Sequence, residues 1–307
     1  MTFPSGTPEV VYVDSASRDQ SVAIANGYGA QVVVLDAARQ TAARARNAGA
    51  AKCLGEFILF LDGDTILAPG FVVDALPQFR EPSIAVVWRQ RREINPHASV
   101  YNTVVDLEWM SPPGFSEFCG GDAIMRRTAF EQAGGYDISL IAGEEPELCC
   151  RLATLSWKLL YLDIAMTGHD IAMYSFVPYW RRAVRTGYAY AQVSKRFESS
   201  SRPLWKKEAR ANQIRALGLL LGVTLSIAAS LLSRSPVPAA AGLAVLAALI
   251  VRTAIKNRWK TPSLHARLLY GIHSHFQQIP IYWGQLSYRA DVRKARTRSL
   301  IEYKTAP

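Results

Sequence analysis

Cysteine is scarce in this chain: Cys53, Cys119, Cys149 and Cys150 are the four among 307 residues, with no C-x-x-C spacing. A small disulfide-stapled scaffold and a metal finger are both excluded. The four thiols read instead as small buried groups of a reduced, cytoplasmic protein. A G-x-x-x-x-G-K-[ST] loop and a G-x-G-x-x-G turn are also missing, so phosphate contact has to come through a metal and basic side chains. No aromatic RNA-stacking motif is present, which removes nucleic acid as a partner. Nor is there an N-terminal secretory signal, so any membrane segment has to act as its own signal.

Acidic residues are scarce in the second part of the chain. From residue 178 onward there are 4 Asp+Glu against 22 Lys+Arg, whereas residues 1–177 hold 21 against 13. The formal net charge of +10 therefore hides an acidic and a strongly basic part. Two uncharged apolar runs, 216–233 and 235–251, lie in the basic part, separated by Arg234. Each is near the lower limit of the roughly 17–25 apolar residues that span a bilayer. Lys206, Lys207, Arg210 and Arg215 precede the pair; Arg252, Lys256, Arg258 and Lys260 follow it. The positive-inside rule then predicts a hairpin in an inner or plasma membrane, with membrane lipids as partners and the acidic part facing the cytoplasm. A buried soluble hairpin or a re-entrant pair is the competing reading. The stretch 268–288 mixes aromatics with His and Gln, as an interfacial helix or a core helix would. The expected domains are 1–200, a catalytic domain; 201–260, a helical hairpin; and 261–307, an interfacial helix with a basic tail.

The acidic part alternates strands and helices. Runs 10–13 (VVYV), 32–35 (VVVL) and 57–61 (FILFL) are short, apolar and rich in β-branched or aromatic residues, as strands buried on both faces are. Helical composition fills 19–28 and 39–54, giving β-α-β-α-β and a parallel sheet with right-handed crossovers. Each strand ends on a carboxylate, Asp14, Asp36 and Asp62, at the sheet edge where α/β folds bind ligands. Asp62-Gly63-Asp64 places two carboxylates on one tight turn, a pair suited to Mg²⁺ or Mn²⁺ completed by substrate phosphates. An ordinary solvated turn has the same composition.

Taken in order, VVYVDSASRDQS, ARARNAGA, EFILFLDGDTILAPGF, CGGDAIMRRTAFEQAGGYD and GEEPELCCRL resemble the successive motifs of family two glycosyltransferases over about residues 8–170. The resemblance implies a GT-A fold: a Rossmann-like α/β mixed sheet with helices on both faces, here with a C-terminal α-helical membrane hairpin. It also implies an inverting transfer of a sugar from a nucleotide-sugar donor to a hydroxyl of a glycolipid or polysaccharide acceptor, dependent on a divalent cation, Mg²⁺ or Mn²⁺. Asp14 and Asp36 would lie near base and ribose, Ser17 and Asp19 would shape the first loop, and Arg46 and Asn47 would sit beside nucleotide or metal. Asp62 and Asp64 resemble the D-x-D metal pair, and Gly120-Gly121-Asp122 the acceptor loop. Glu145, with Glu144 before it, takes the place of the family's general base, although the family usually has Glu-Asp there. His169 would be a further metal or diphosphate ligand. Trp180, Arg181 and Arg182 loosely resemble a diphosphate-clamping helix, and a cationic face toward anionic lipid is the alternative.

The sequence departs from the family at its start. Members carry an additional central strand before the segment matching VVYVD, and the nine residues before Val10 leave no room for it. The resemblance thus implies open edges at the strands of Val10 and Phe57, in a truncated, misstarted or degenerate chain. Two other readings follow from the same residues. One is a catalytically inactive membrane-associated scaffold. The other is a sugar nucleotidyltransferase, which normally needs a Gly-rich basic loop after its first strand.

Overall fold

The short apolar runs become strands, and their pairing decides where the carboxylates meet. The computed structural model describes residues 8–36, 41–140, 142–200 and 203–296; the start of the chain and the end of the basic tail lie outside these. Strand β1 (Val11–Asp14) pairs in parallel with β2 (Gln31–Val34) through helix α1 (Ser21–Gly27), with Asp14 opposite Val34. Helix α2 (Ala42–Ala50) follows, its first turn capped by the Thr41 hydroxyl, which accepts from the Arg44 amide. Next come β3 (Phe57–Phe60), β4 (Thr65–Leu67), α3 (Phe71–Ala75), β5 (Ile84–Trp88), β6 (Arg92–Glu93), α4 (Val100–Trp109) and β7 (Gly114–Ser116). The chain continues with β8 (Ala123–Arg126), α5 (Arg127–Gln132), α6 (Glu144–Thr154), β9 (Lys158–Tyr161) and β10 (Thr167–His169). Five longer helices close it: α7 (Phe176–Arg196), α8 (Lys206–Ser233), α9 (Val237–Lys256), α10 (Leu264–Phe276) and α11 (Gln278–Arg293).

Two compact units emerge, one from residues up to 94 together with 111–170, the other from 95–110 together with the residues from 171 on. In the first, a five-stranded sheet of order β3-β8-β5-β9-β7 mixes directions: β3 and β5 run antiparallel to β8, while β5 and β9 are parallel. This corrects the expected parallel run of the first three strands. Helix α2 supplies the crossover from β2 to β3, yet β3 does not join the β1-β2 ribbon and pairs antiparallel with β8, more than sixty residues on. Strands β1 and β3 share no ladder. Among the described residues each has a partner strand on one side, which matches the expected open edges. Strand β5 is buried along its whole length, at the centre of a core that includes Phe71, Ile124, Met125 and Leu148. A third, small sheet of order β4-β10-β6 places His169 opposite Thr65.

The second unit is helical. Helices α8 and α9 are 28 and 20 residues long with apolar windows of mean hydropathy 2.0 and 1.9, and only 6% of either window is buried. At 1.5 Å per residue they reach about 42 and 30 Å, long and apolar enough to cross a bilayer core of about 30 Å. The stretch read as an interfacial or core helix forms α10 and α11, divided at Gln277. Helices α7 and α11 meet at two glycines. A Cβ added to Gly187 would fall inside the envelope of the Ile281 carbonyl, and one added to Gly284 would strike the Val184 carbonyl. Lys260 donates to the Leu107 and Met110 carbonyls at 2.6 and 3.1 Å, capping α4, and burial holds its ammonium down at about 8.

Gly187→Ala and Gly284→Ala should therefore each lower stability by about 1–3 kcal/mol through overpacking. Gly218→Ala, whose added methyl meets nothing within 4 Å, serves as the neutral control. Unfolding midpoints in detergent read the difference; equal midpoints for all three would show that the two helices tolerate separation at this crossing.

Candidate active site

Four carboxylates and two guanidiniums converge in the first unit. Two residues past β3, Asp62 receives Arg46 Nη2 on Oδ1 at 2.7 Å and Arg91 Nη2 on Oδ2 at 2.8 Å. Arg46 Nη1 also binds Glu144 Oε1 at 3.1 Å and Glu145 Oε1 at 3.0 Å, both in the first turn of α6. One cation thus joins positions 46, 62, 144 and 145. Burial pushes the Asp62 carboxyl up, but the charges and hydrogen bonds of Arg46 and Arg91 outweigh it and hold the group down at about 2. Burial likewise opposes the charge on Arg46, and Glu145, Asp62 and Glu144 reverse that, keeping the guanidinium firmly protonated.

Gly121 makes the convergence possible. A Cβ there would collide with Arg46 Nη2 and come within 3.1 Å of both Arg91 Nη2 and Asp62 Oδ2. Asp122, the last residue of the predicted acceptor loop, is 2% exposed. Its Oδ1 accepts the Asp62 amide at 2.9 Å and its Oδ2 accepts the Thr167 hydroxyl at 2.7 Å. Asp122 therefore braces the Asp62-Gly63-Asp64 turn, with its carboxyl raised by burial against the pull of Arg91.

The three predicted metal ligands are differently engaged. His169 Nε2 meets Asp64 Oδ2 at 3.2 Å, while both oxygens of Asp62 face guanidiniums. Among the described residues, no three His, Cys, Asp or Glu side chains are gathered as an ion alone would require. One imidazole and one carboxylate in contact, with a second carboxylate two residues away, nevertheless fit a divalent cation whose remaining ligands are substrate oxygens.

The predicted nucleotide residues fall into local roles. Asp14 is 2% exposed; its Oδ2 accepts the Ser17 amide at 2.9 Å, and its Oδ1 has no hydrogen-bond partner among the described residues. Asp19 accepts from the amide and hydroxyl of Ser21 at the start of α1. Asp36 is exposed and pairs with Arg44 at 3.1 Å. Asn47 clasps the Tyr136 backbone at both ends of its amide, each at 2.8 Å, away from the carboxylates that Arg46 holds. Gly120 lies beside the Trp88 ring. Trp180 packs against Phe176 and Phe276 in the helical unit, Arg182 binds Glu108 there at 2.7 Å, and Arg181 is exposed.

Arg91 is the participant that sequence reasoning missed. It stands three residues beyond the end of β5, in the run Arg89-Gln90-Arg91-Arg92. The strand-end rule that singled out the aspartates applies equally to cations after a fully buried strand.

Residues 4–134 match the sequence family described as Glycosyl transferase family 2. A pre-mycofactocin glycosyltransferase of Mycobacterium tuberculosis is 30% identical over 139 residues, 42% of this chain and 30% of that protein. A cellulose synthase catalytic subunit (UDP-forming) of Xanthomonas axonopodis is 22% identical over 208 residues, 63% of this chain and 28% of that protein. The chain thus spans about a third of the length of the curated relatives it matches. Among solved structures, the mannosyltransferase PcManGT of Pyrobaculum calidifontis, in complex with GDP-Man and Mn²⁺, superposes with a TM-score of 0.59 at 20% identity, covering 87% of this chain and 77% of that one. The fold is therefore GT-A.

Removing the shared cation tests the cluster. Arg46→Met leaves Asp62, Glu144 and Glu145 facing one another, which should cost about 3–5 kcal/mol of stability at neutral pH. In the intact protein, Asp62 is depressed, so its contribution is present above its ordinary value of 3.8 and is lost as pH falls through about 2. In the variant Arg91 alone holds Asp62 down, so less stability is gained as the carboxyl ionises, and repulsion among the ionised carboxylates adds to the deficit as pH rises. Unfolding midpoints between pH 4 and 8 should show the deficit widening with pH; a constant deficit would mean that Arg46 acts by packing alone.

Proposed function

We propose that this chain, whose residues 4–134 match the family described as Glycosyl transferase family 2, transfers a sugar from a nucleotide-sugar to a hydroxyl of a glycolipid or polysaccharide, with inversion and with help from a divalent cation. The observation that carries the reading is the convergence of Asp62, Glu144 and Glu145 on Arg46, since it draws the turn after β3 and the first turn of α6 to one place. A transferase for activated sugars needs that conjunction: one end grips the leaving diphosphate and the other strips a proton from the acceptor.

Asp64 and His169, with Asp62, would hold Mg²⁺ or Mn²⁺, whose chemistry is to neutralise charge growing on the diphosphate. The mannosyltransferase of similar fold, solved in complex with GDP-Man and Mn²⁺, motivates that choice. Asp14 offers a buried oxygen that a nucleotide base N–H would satisfy, and Ser17 fixes its rotamer. Gly120-Gly121-Asp122 would border the acceptor site, with Gly121 giving the room in which Arg46, Arg91 and Asp62 meet. Glu145 is the general base: Arg46 holds its carboxylate in place, and that carboxylate takes the acceptor hydroxyl proton as the oxygen attacks the anomeric carbon opposite the leaving diphosphate. Glu144, which is more deeply buried, shares the same guanidinium and positions it. The apolar helices α8 and α9 would insert as a hairpin across 201–260, with their basic flanks and residues 1–200 on the cytoplasmic side of the membrane, next to lipid-borne acceptors.

Glu145→Gln should lower transfer by at least about 10²-fold while leaving nucleotide binding intact. Release of UDP and GDP from a panel of nucleotide-sugars, in membranes and with Mn²⁺ or Mg²⁺, reads the first, and nucleotide titration reads the second. Turnover that survives both Glu145→Gln and Asp64→Asn would exclude this assignment of base and metal. The chain should also stay with the membrane pellet through an alkaline carbonate wash; its release would place α8 and α9 inside a protein interface.

A further inference from the structure

We propose that Arg91 is a ligand of the donor diphosphate, and that its present hold on Asp62 makes cation binding at the Asp62-Gly63-Asp64 turn depend on that diphosphate. The inference rests on the nucleotide-sugar reading above and deepens it.

Asp62 cannot serve a metal and two guanidiniums at full strength, because Arg46 and Arg91 each hold one of its oxygens, at 2.7 and 2.8 Å. The two cations differ in what they keep when Asp62 turns to a metal. Arg46 retains Glu144 and Glu145, at 3.1 and 3.0 Å. Arg91 retains Asp122 at 3.5 Å, beyond good hydrogen-bond range, and Asp122 is already committed through Oδ1 to the Asp62 amide and through Oδ2 to Thr167. Arg91 is therefore the cation that loses its partner. Its side chain is only 16% exposed, so water is a poor replacement, and the longer ion pair to Asp122 leaves the guanidinium's hydrogen bonds unmet at a cost.

A diphosphate supplies what is missing. A guanidinium presents a planar fork that matches two phosphate oxygens, and it can exchange a carboxylate for a phosphate without changing its own charge. The position suits the exchange, because the absent Gly121 side chain leaves the room in which Arg46, Arg91 and Asp62 meet, and a Cβ there would come within 3.1 Å of both Arg91 Nη2 and Asp62 Oδ2. Two consequences follow by linkage. Without nucleotide, Arg91 competes with the cation for Asp62; with the diphosphate in place Arg91 is drawn off, and the cation binds more tightly. By reciprocity, the cation strengthens diphosphate binding by freeing Arg91.

The test titrates Mn²⁺ into the full chain in detergent, following free Mn²⁺ by electron paramagnetic resonance, alone and with UDP, GDP, UMP or GMP. R91Q should bind Mn²⁺ about tenfold more tightly than wild type without nucleotide. With Mn²⁺ present, R91Q should bind the diphosphate that wild type prefers at least about tenfold more weakly, and the matching monophosphate nearly unchanged. A residue that merely supports the fold would weaken Mn²⁺ binding, so unchanged or weaker Mn²⁺ affinity in R91Q overturns the proposal, as does an equal loss for mono- and diphosphate. R91K, which keeps the charge without the fork, should keep wild-type Mn²⁺ affinity and still lose diphosphate affinity; failure of both variants to fold makes Arg91 structural and also overturns it. The two readings are separable. If neither UDP nor GDP alters Mn²⁺ binding to the wild type, the nucleotide-sugar reading falls; if one does and R91Q behaves identically, that reading stands and Arg91 drops out.

Discussion

A single buried guanidinium sets the geometry on which the rest of the site depends. Arg46 faces Asp62, Glu144 and Glu145 within 3.1 Å, and without it those carboxylates would repel one another across a poorly solvated space. At an effective dielectric near 20, unit charges about 4 Å apart interact by roughly 4 kcal/mol, enough to force either protonation or separation. Arg46 supplies the alternative, and its flat fork imposes direction as well as charge. The start of α6 and the turn after β3 are consequently fixed relative to each other by one side chain. Asp122 fixes the same turn from beneath through backbone and hydroxyl hydrogen bonds, so Asp62 is held at both its amide and its carboxylate.

The helical unit solves the inverse problem. There Glu108 is the buried ion, with Arg182 at 2.7 Å and His273 Nε2 at 3.8 Å. Burial pushes the Glu108 carboxyl up, and Arg182 and His273 more than reverse this, leaving it well below the usual carboxylate range. Tyr179 bonds the other nitrogen of His273 at 2.9 Å, which completes a polar network among apolar helices. Arg182 thus has a full role within its own unit. A basic helix read from sequence as a diphosphate clamp contains an arginine whose charge is already matched.

How far the sequence discloses this architecture depends on the range of the forces involved. Strands at Val11, Gln31 and Phe57 are legible as continuous apolar runs, and the aspartates at or after their ends because a charge ends such a run. The expected burial on both faces is not met: β1 and β2, in a two-stranded ribbon, are mostly half-buried or exposed, and β3 is buried only at alternate residues. Asp62, Glu144, Glu145 and Arg46 could be singled out from motif order, and the structure brings all four together. The partner of β3 was not legible, since pairing with β8 is decided by a segment more than sixty residues away in sequence. Arg91 escaped for a related reason: four residues rich in arginine after a strand look like solvated surface until the facing carboxylates are known. Asp122 and Asn47, singled out as motif residues, also hold backbone groups that no linear pattern reveals.

Helix α2 carries these separate requirements in nine residues. Arg44 reaches Asp36, Arg46 reaches the carboxylates, Asn47 holds the Tyr136 backbone, and Gly49 lies against β1, where an added Cβ would sit 3.1 Å from the Val13 side chain. The last contact matters because β1 and β2 form only a two-stranded ribbon, which is marginal by itself and needs a helix packed on it. The strand that carries Asp14 and the helix that carries Arg46 are therefore one packed piece. A shift of α2 would move the Asp14 strand and the Arg46 guanidinium together, whereas Asp122, which leads directly into β8, would stay with the five-stranded sheet. Gly49 gives the close approach to the ribbon, and a bulkier residue there would push β1 away from the helix that carries Arg46; Ala43, fully buried, ties the same helix to the main core.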